Sequence, residues 1–264
     1  MVPSDSIRNL FSKAEELLEF YVEKFTKSKI YAIRTAYEKR IDETLEDFLC
    51  AAAGRFNQWP DHFEGWDVNI SDIKRLDLLW GRIYPYLADY VMSFLPGGAQ
   101  EVLELGPFSG GISFELARAR RNYSIVIADE RQDVLDYLAR EAEKQNLLHR
   151  IRLEQTTLSP LKFEDCEFDA VISRGVFFFL DEPILKEMYR ILRPGGIGFI
   201  GGGFGISTPR VLIDDIASES RRLNQRLGKK WISEAQLREM VISAGLGEYA
   251  RIINEGGLWL RVEK

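Results

Sequence analysis

Residues 101–111, EVLELGPFSGG, constrain the fold more than any other stretch of the chain. Val102, Leu103 and Leu105 form a short apolar run of the kind that makes a strand buried on both faces. The run ends abruptly at Gly106 and Pro107, and glycine returns at Gly110 and Gly111. Ile112, Leu116 and Ala119 then recur at helical spacing. Strand, glycine turn and helix in that order make a first βα unit, whose helix N-terminus lets backbone N–H groups approach a ligand closely. Such a unit predicts an acid about 20 residues further on, at the end of the next strand, where it can accept from ribose hydroxyls. Residues 124–128, SIVIA, form that strand, and Asp129 and Glu130 close it.

Two details of the turn select among ligands. A G-x-G-x-x-G dinucleotide fingerprint wants glycine where Phe108 stands, so a pyrophosphate could not sit as close. Glu104, just inside the strand end, would repel a diphosphate and suits a cofactor that carries positive charge. These residues resemble motif I of the class I S-adenosylmethionine-dependent methyltransferases, an acid followed by a glycine-rich turn. Gly106 and Gly110 match that motif, and Phe108 departs from it at the middle glycine.

From residue 101 onward strands and helices alternate, which predicts a parallel sheet. A helix over 131–144 follows the second strand, residues 151–154 read as the third, and residues 168–173 as the fourth. Asp181 caps a helix with Pro183 in its first turn, ending at Leu192. RPGG at 193–196 turns the chain into a fifth strand at 197–200, and a glycine-rich loop occupies 201–209. A basic helix to about residue 226 comes next, and Ser233 with Gln236 makes a capping box for the last helix, which ends at Gly245. Two short strands, 249–253 and 258–262, complete the pattern around Gly256 and Gly257. The order is similar to the seven-stranded, Rossmann-like methyltransferase sheet with its terminal antiparallel hairpin. FDAVISRGVFFFLDEP at 168–183 and MYRILRPGG at 188–196 are similar to the corresponding run of small-molecule methyltransferases, and the resemblance covers residues 99–264.

The resemblance implies S-adenosylmethionine as the cofactor. It places Glu104, Gly106, Pro107 and Gly110 around the methionine part, and Asp129, with Glu130 beside it, at the ribose. Asp129 has an alternative role as cap of the following helix, and the two are compatible. Where the family has an acid reading the adenine amino group, this chain has Thr156, Thr157 and Leu158. Ser173 and Arg174 end the fourth strand, where methionine and acceptor meet in that fold, and Arg174 can hold a carboxylate of either ligand.

Residues 1–98 show no strand alternation and read as a helical extension. Residues 14–25 and 29–53 keep amphipathic stripes, an aromatic loop follows at 55–66, and Ser71 and Asp72 can cap a third helix. That helix carries Ile73, Leu76, Trp80 and Ile83, and Pro85 must break or kink it. The apolar faces have three destinations: a lid over the acceptor site, the far edge of the sheet, or a second copy of the chain in a homodimer. His62, flanked by Asp61 and Glu64 among aromatics, is a candidate general base, with Tyr84 and Arg174 as further catalytic candidates.

The remaining features narrow the class. A formal charge of −6 argues against a nucleic-acid partner, which asks for a basic face. The basic run 220–230 reads as a solvated helix face. Cys50 and Cys166 are the two cysteines and lie far apart, so neither a disulfide framework nor a metal site is expected. No long uncharged apolar run occurs, which predicts a soluble, cytoplasmic chain without a membrane partner. A small-molecule methyl acceptor is therefore the expected substrate. Two other readings stand beside it: a cofactor-binding scaffold without methyl transfer, and a nicotinamide-dependent oxidoreductase. Glu104 and Phe108 fit the latter poorly, and no Tyr-x-x-x-Lys pair follows the fourth strand.

Overall fold

The first βα unit grows into a sheet of seven strands, in the order β3-β2-β1-β4-β5-β7-β6. The computed structural model describes residues 69–95, 100–106, 110–119, 122–226 and 232–264. All of them belong to one unit, Asp67–Lys264, of the two into which the chain divides. The helices expected before residue 54, the aromatic loop with His62, and Pro107 and Phe108 lie outside the described residues.

Strand β1 (Gln100–Leu105) pairs in parallel with β2 (Tyr123–Asp129) on one side and β4 (Phe168–Arg174) on the other. Helix α3 (Gly111–Ala119) crosses over to β2, and α4 (Gln132–Lys144) crosses over to β3 (Ile151–Gln155). After β3 the chain returns past β1 to β4, so the strand order reverses between β1 and β4. That reversal splays the two flanking connections apart and leaves a crevice at the carboxyl ends of the strands. Glu104, Asp129 and Arg174 all stand at this end of the sheet.

Beyond β4, helix α5 (Glu182–Ile191) is capped by Asp181, whose side chain accepts from the Ile184 N–H. Strand β5 (Leu192–Gly203) is longer than the sequence suggests at both ends. The RPGG segment does not leave the sheet as a turn. Phe168 pairs with Leu192 but Ala170 pairs with Ile197, so the extra residues bulge out of the ladder opposite Asp169. The chain terminus holds the bulge, since Gly195 N–H donates to the Lys264 carbonyl at 2.6 Å. At the other end Gly201, Gly202 and Gly203 stay in strand, paired with Trp259, Leu258 and Gly257 of β7 (Gly257–Glu263). Helices α6 (Arg210–Arg226) and α7 (Glu234–Ser243) and strand β6 (Ala250–Ile253) complete the unit. The expected Ser233–Gln236 capping box is present on α7.

Two helices precede the sheet. For α1 (Ile70–Trp80) the cap is Asn69, not Ser71, because the Asn69 side chain accepts from the Ser71 N–H. Pro85 does break the helix: α2 (Tyr84–Met92) starts anew after a short turn, with the proline in its first turn, where it has no N–H to lose. Tyr90 and Phe94 fasten this end to the sheet by packing edge-on and stacked on Phe199, which itself stacks on Trp259 with centroids 4.6 Å apart. Helix α1 is tied twice. Trp80 Nε1 donates to Ser220 Oγ of α6 at 3.0 Å, and the Tyr137 hydroxyl of α4 donates to Asp77 Oδ2 at 2.7 Å. The aromatic anchors and these two bonds hold α1 and α2 at the site end of the sheet.

Candidate functional site

Both acids expected to hold a ligand are buried at the crevice. Glu104 ends β1, where its Oε2 accepts from the Ser113 N–H at 2.7 Å, so the carboxylate sits on the amino end of α3. Burial pushes its pKa up to about 6, against hydrogen bonds from Ser113 and the Gly110 N–H and against the Arg174 charge. Asp129 ends β2. Its Oδ1 accepts from the Arg131 N–H at 2.9 Å, and its Oδ2 is buried without a partner. Burial likewise pushes Asp129 up to about 6. Arg131, not Asp129, is the residue at the cap position of α4, so the free oxygen is not used by that helix.

The glycine turn makes room for this arrangement. A Cβ built on Gly106 would overlap Asp129 Oδ2, so only glycine lets that buried oxygen lie against the strand end. A Cβ on Gly111 would fall on the Tyr84 ring, which therefore packs directly on the first turn of α3. An unpartnered carboxylate oxygen over a glycine, next to a helix amino end, is what a vicinal diol with an adenine on one side and a cationic group on the other requires. The residues present thus fit the cofactor implied by the fold.

Other sequence candidates fall around the same rim. Glu130 Oε1 accepts from the Leu158 N–H at 3.0 Å, and its carbonyl accepts from Gln155 Nε2, which fixes the loop after β3. Thr157 turns its hydroxyl to the Pro160 carbonyl at 2.6 Å, and Leu158 is buried beside it. Ser173 is buried, with its hydroxyl donating to the Leu105 carbonyl at 3.1 Å across β1 and β4. The Tyr84 hydroxyl bonds to Asp77, and burial, with the Asp77 charge next, raises its pKa well above the usual tyrosine value. Asp77 is itself raised, by burial, against hydrogen bonds from Tyr137 and Tyr84.

Arg174 ends β4. Its guanidinium lies over the Trp80 ring, 3.9 Å from the centroid, and burial lowers its pKa against the charges of Tyr84, Glu104 and Asp77. Beside it a cavity of about 330 Å3 lies between the ends of β4 and β5, the turn before β7 and one face of α6. Sequence reasoning misses Trp80, Ser220 and Asn224, all of which line it. The signal was present in α6, where Ser220, Leu223 and Asn224 are buried while the neighbouring Arg221 and Arg222 are exposed. That i, i+3, i+4 spacing marks an inward face within the run read as basic and solvated.

Residues 102–196 match a family model described as a methyltransferase domain. These residues resemble a methyltransferase domain, and the fold around them is that of a class I S-adenosylmethionine-dependent methyltransferase. The solved structure of a candidate S-adenosylmethionine-dependent methyltransferase from Methanococcus maripaludis is similar at a TM-score of 0.65 and 27% identity, over 78% of this chain and 97% of that one. Among curated proteins, a ubiquinone/menaquinone biosynthesis C-methyltransferase of Dinoroseobacter shibae is 31% identical over 123 residues, 46% of this chain and 49% of that protein. A demethylmenaquinone methyltransferase of Thermus thermophilus is 33% identical over 122 residues, 46% of this chain and 52% of that protein. The chain therefore spans about half the length of these curated relatives. Within the methyltransferase domain, no described cluster of His, Cys, Asp and Glu could hold a metal ion, and no described helix is long and apolar enough to cross a membrane.

Proposed function

We propose that the chain moves the methyl group of S-adenosylmethionine to a small-molecule acceptor in the cytoplasm. The observation that carries this reading is the pair of buried acids across the glycine turn, with Asp129 Oδ2 left unpartnered one strand from the point where the strand order reverses. When bound, the cofactor supplies an activated methyl on a cationic sulfur. This chain's own residues hold and align. Asp129 accepts from the ribose hydroxyls, Glu104 faces the cationic methionine part, and Glu130 steadies the loop of Thr157 and Leu158 beside the adenine. Gly106, Pro107, Gly110 and Ser173 line the methionine part, and Arg174 borders the acceptor cavity. Alignment of a nucleophile in a water-poor site supplies up to about 10 kcal/mol, so no general base is required of this chain.

Helices α1 and α2 belong to the extension that closes the acceptor side, where Trp80 reaches the cavity and Tyr84 packs on α3. Tyr84 acts as a positioning residue, because its hydroxyl is committed to Asp77. The formal charge of −6 supports a small molecule over a nucleic acid as the acceptor. The names of the curated relatives make a carbon acceptor in a quinone-like ring one candidate.

Calorimetry with S-adenosylhomocysteine, and methyl-labelled S-adenosylmethionine incubated with a fractionated metabolite extract, test the reading. Micromolar or tighter binding with label in a small organic product is expected. Binding without any labelled product returns the chain to a cofactor-binding scaffold, and stabilisation by a nicotinamide dinucleotide in place of S-adenosylhomocysteine refutes the cofactor assignment.

A further inference from the structure

The cavity beside Arg174 has a chemistry of its own. Phe177, Phe204, Ile213, Ile232 and Leu258 supply apolar walls, and its volume of about 330 Å3 is at the small end of ligand-binding sites. Arg174 belongs to this lining and is only 5% exposed. One face of its guanidinium is taken by the Trp80 ring at 3.9 Å. Its in-plane Nε and Nη1 have no acceptor among the described residues, and Nη2 has a single long contact, 3.4 Å, to the Gly203 carbonyl. Stacking occupies the face of a guanidinium and leaves its in-plane N–H groups as the ones that can meet a carboxylate. A buried cation without an acceptor is too unfavourable to be a packing residue, so this one awaits a partner.

The carboxylates that act on it do not fill that role. Glu104 and Asp77 both raise the Arg174 pKa through space, but the Glu104 carboxylate accepts from the Ser113 N–H and the Asp77 carboxylate from the Tyr137 hydroxyl. Asn224 adds a second open valence. One of its amide atoms, Nδ2 as oriented, bonds Ser220 Oγ at 3.3 Å, and the other, Oδ1, is buried with no partner. Ser220 in turn accepts from Trp80, so Arg174, Trp80, Ser220 and Asn224 form one connected polar strip along an apolar wall.

We propose that the methyl acceptor is a small, largely apolar carboxylate, whose carboxylate is held by Arg174 and whose second polar group meets Asn224. This assignment rests on the methyltransferase reading for the word acceptor, and on the cavity alone for the anion. An anion there also balances the charge of a cationic sulfonium brought next to Arg174. Methyl transfer to such a molecule breaks the S–CH3 bond, leaves that electron pair on sulfur and forms the new bond from an electron pair of the acceptor, a lone pair on oxygen or nitrogen or a π pair on carbon. A hydroxyl or amine acceptor then releases one proton to solvent.

The test is a calorimetric panel of aromatic and branched aliphatic monocarboxylates, each matched with its primary amide, titrated into the full chain saturated with S-adenosylhomocysteine. The best carboxylate should bind roughly tenfold or more tighter than its amide, the discrimination a charged hydrogen-bonded pair supplies. Arg174→Met should erase that preference while keeping affinity for S-adenosylhomocysteine within about twofold. Asn224→Asp, which sets a carboxylate inside the cavity, should also abolish the anion preference and serves if the first variant does not fold. Wild-type protein that prefers no carboxylate over its amide overturns the proposal. So does an Arg174→Met variant that keeps the preference, or one that loses S-adenosylhomocysteine instead, which would give the guanidinium to the cofactor's own carboxylate. If wild-type protein fails to bind S-adenosylhomocysteine, the methyltransferase reading falls, and the same panel titrated without it decides the anion preference separately.

Discussion

Replacing Asp129 with asparagine isolates one charged oxygen. Oδ1 is occupied by the Arg131 N–H, and Oδ2 is buried without a partner, so a ribose bound here gains bonds to a carboxylate that nothing else satisfies. Hydrogen bonds to a charged group contribute about 1.5–3 kcal/mol, so D129N should weaken S-adenosylhomocysteine binding by roughly ten- to a hundredfold. The pH dependence carries the sharper signature. In the free protein burial holds the Asp129 carboxyl at about 6, so below that value it is mostly protonated and is a poor acceptor for hydroxyls. The ligand selects the ionised form, and affinity should be flat above pH 6 and fall by up to about tenfold per pH unit below it. Glu104 titrates at about 6 as well and faces a cationic group, so it adds a second proton to the same slope. Calorimetry from pH 5 to 8 on wild type and D129N reads both effects: the wild-type slope should be steeper than that of the variant by about one proton. If D129N binds as tightly as wild type, or keeps the full slope, the buried oxygen is not the ribose acceptor.

Three further outcomes follow from the packing around the site. Gly106→Ala puts a methyl onto Asp129 Oδ2, so cofactor affinity should drop by about tenfold or more in calorimetry while far-ultraviolet circular dichroism stays native. Glu104→Gln should stabilise the free protein while weakening the cofactor. The folded chain holds the Glu104 proton to about pH 6 against 4.5 for an unperturbed carboxyl, so stability from this group falls as pH rises between those values and is lowest above pH 6. Urea unfolding at pH 7.5 should show a gain on the order of 2 kcal/mol for the variant, shrinking towards pH 4.5; an unchanged midpoint would mean the buried charge costs nothing. Phe199→Ala removes the ring between Phe94 and Trp259, and denaturant unfolding should report a loss of about 3–5 kcal/mol, with smaller values showing that α2 repacks on its own.

What local sequence decides is visible in particular stretches. The apolar run Val102–Leu105 and the glycines after it specify strand, turn and helix, because backbone sterics and burial period act over a few residues. Asp129 is found by the same logic, since the length of a βα unit sets where the next strand must end. Pro85 splitting α1 from α2, and Ser233 pairing with Gln236, are likewise local chemistry. The misreadings are also local. Asn69 caps in place of Ser71, because several residues there can cap and geometry chooses between them. RPGG bulges instead of turning, because the Lys264 carbonyl at the chain end receives the Gly195 N–H.

The cavity beside Arg174 depends on a different scale. Trp80 and Ser220 are 140 residues apart, and their hydrogen bond exists only because α1 and α6 both lie at the same end of the sheet. Arg174 reads from sequence as the end of a strand with an open choice of partner. Its burial against Trp80, its unpartnered Nε and Nη1, and its company of Ser220 and Asn224 emerge once the crossovers bring the helices together. Periodicity tells which face of a helix turns inward, but it carries no record of which other face it will meet. The glycine turn and the strand-end acids proposed to hold the cofactor were therefore legible, since one βα unit and its successor build them, and the cavity beside Arg174 was not, since distant elements converge there.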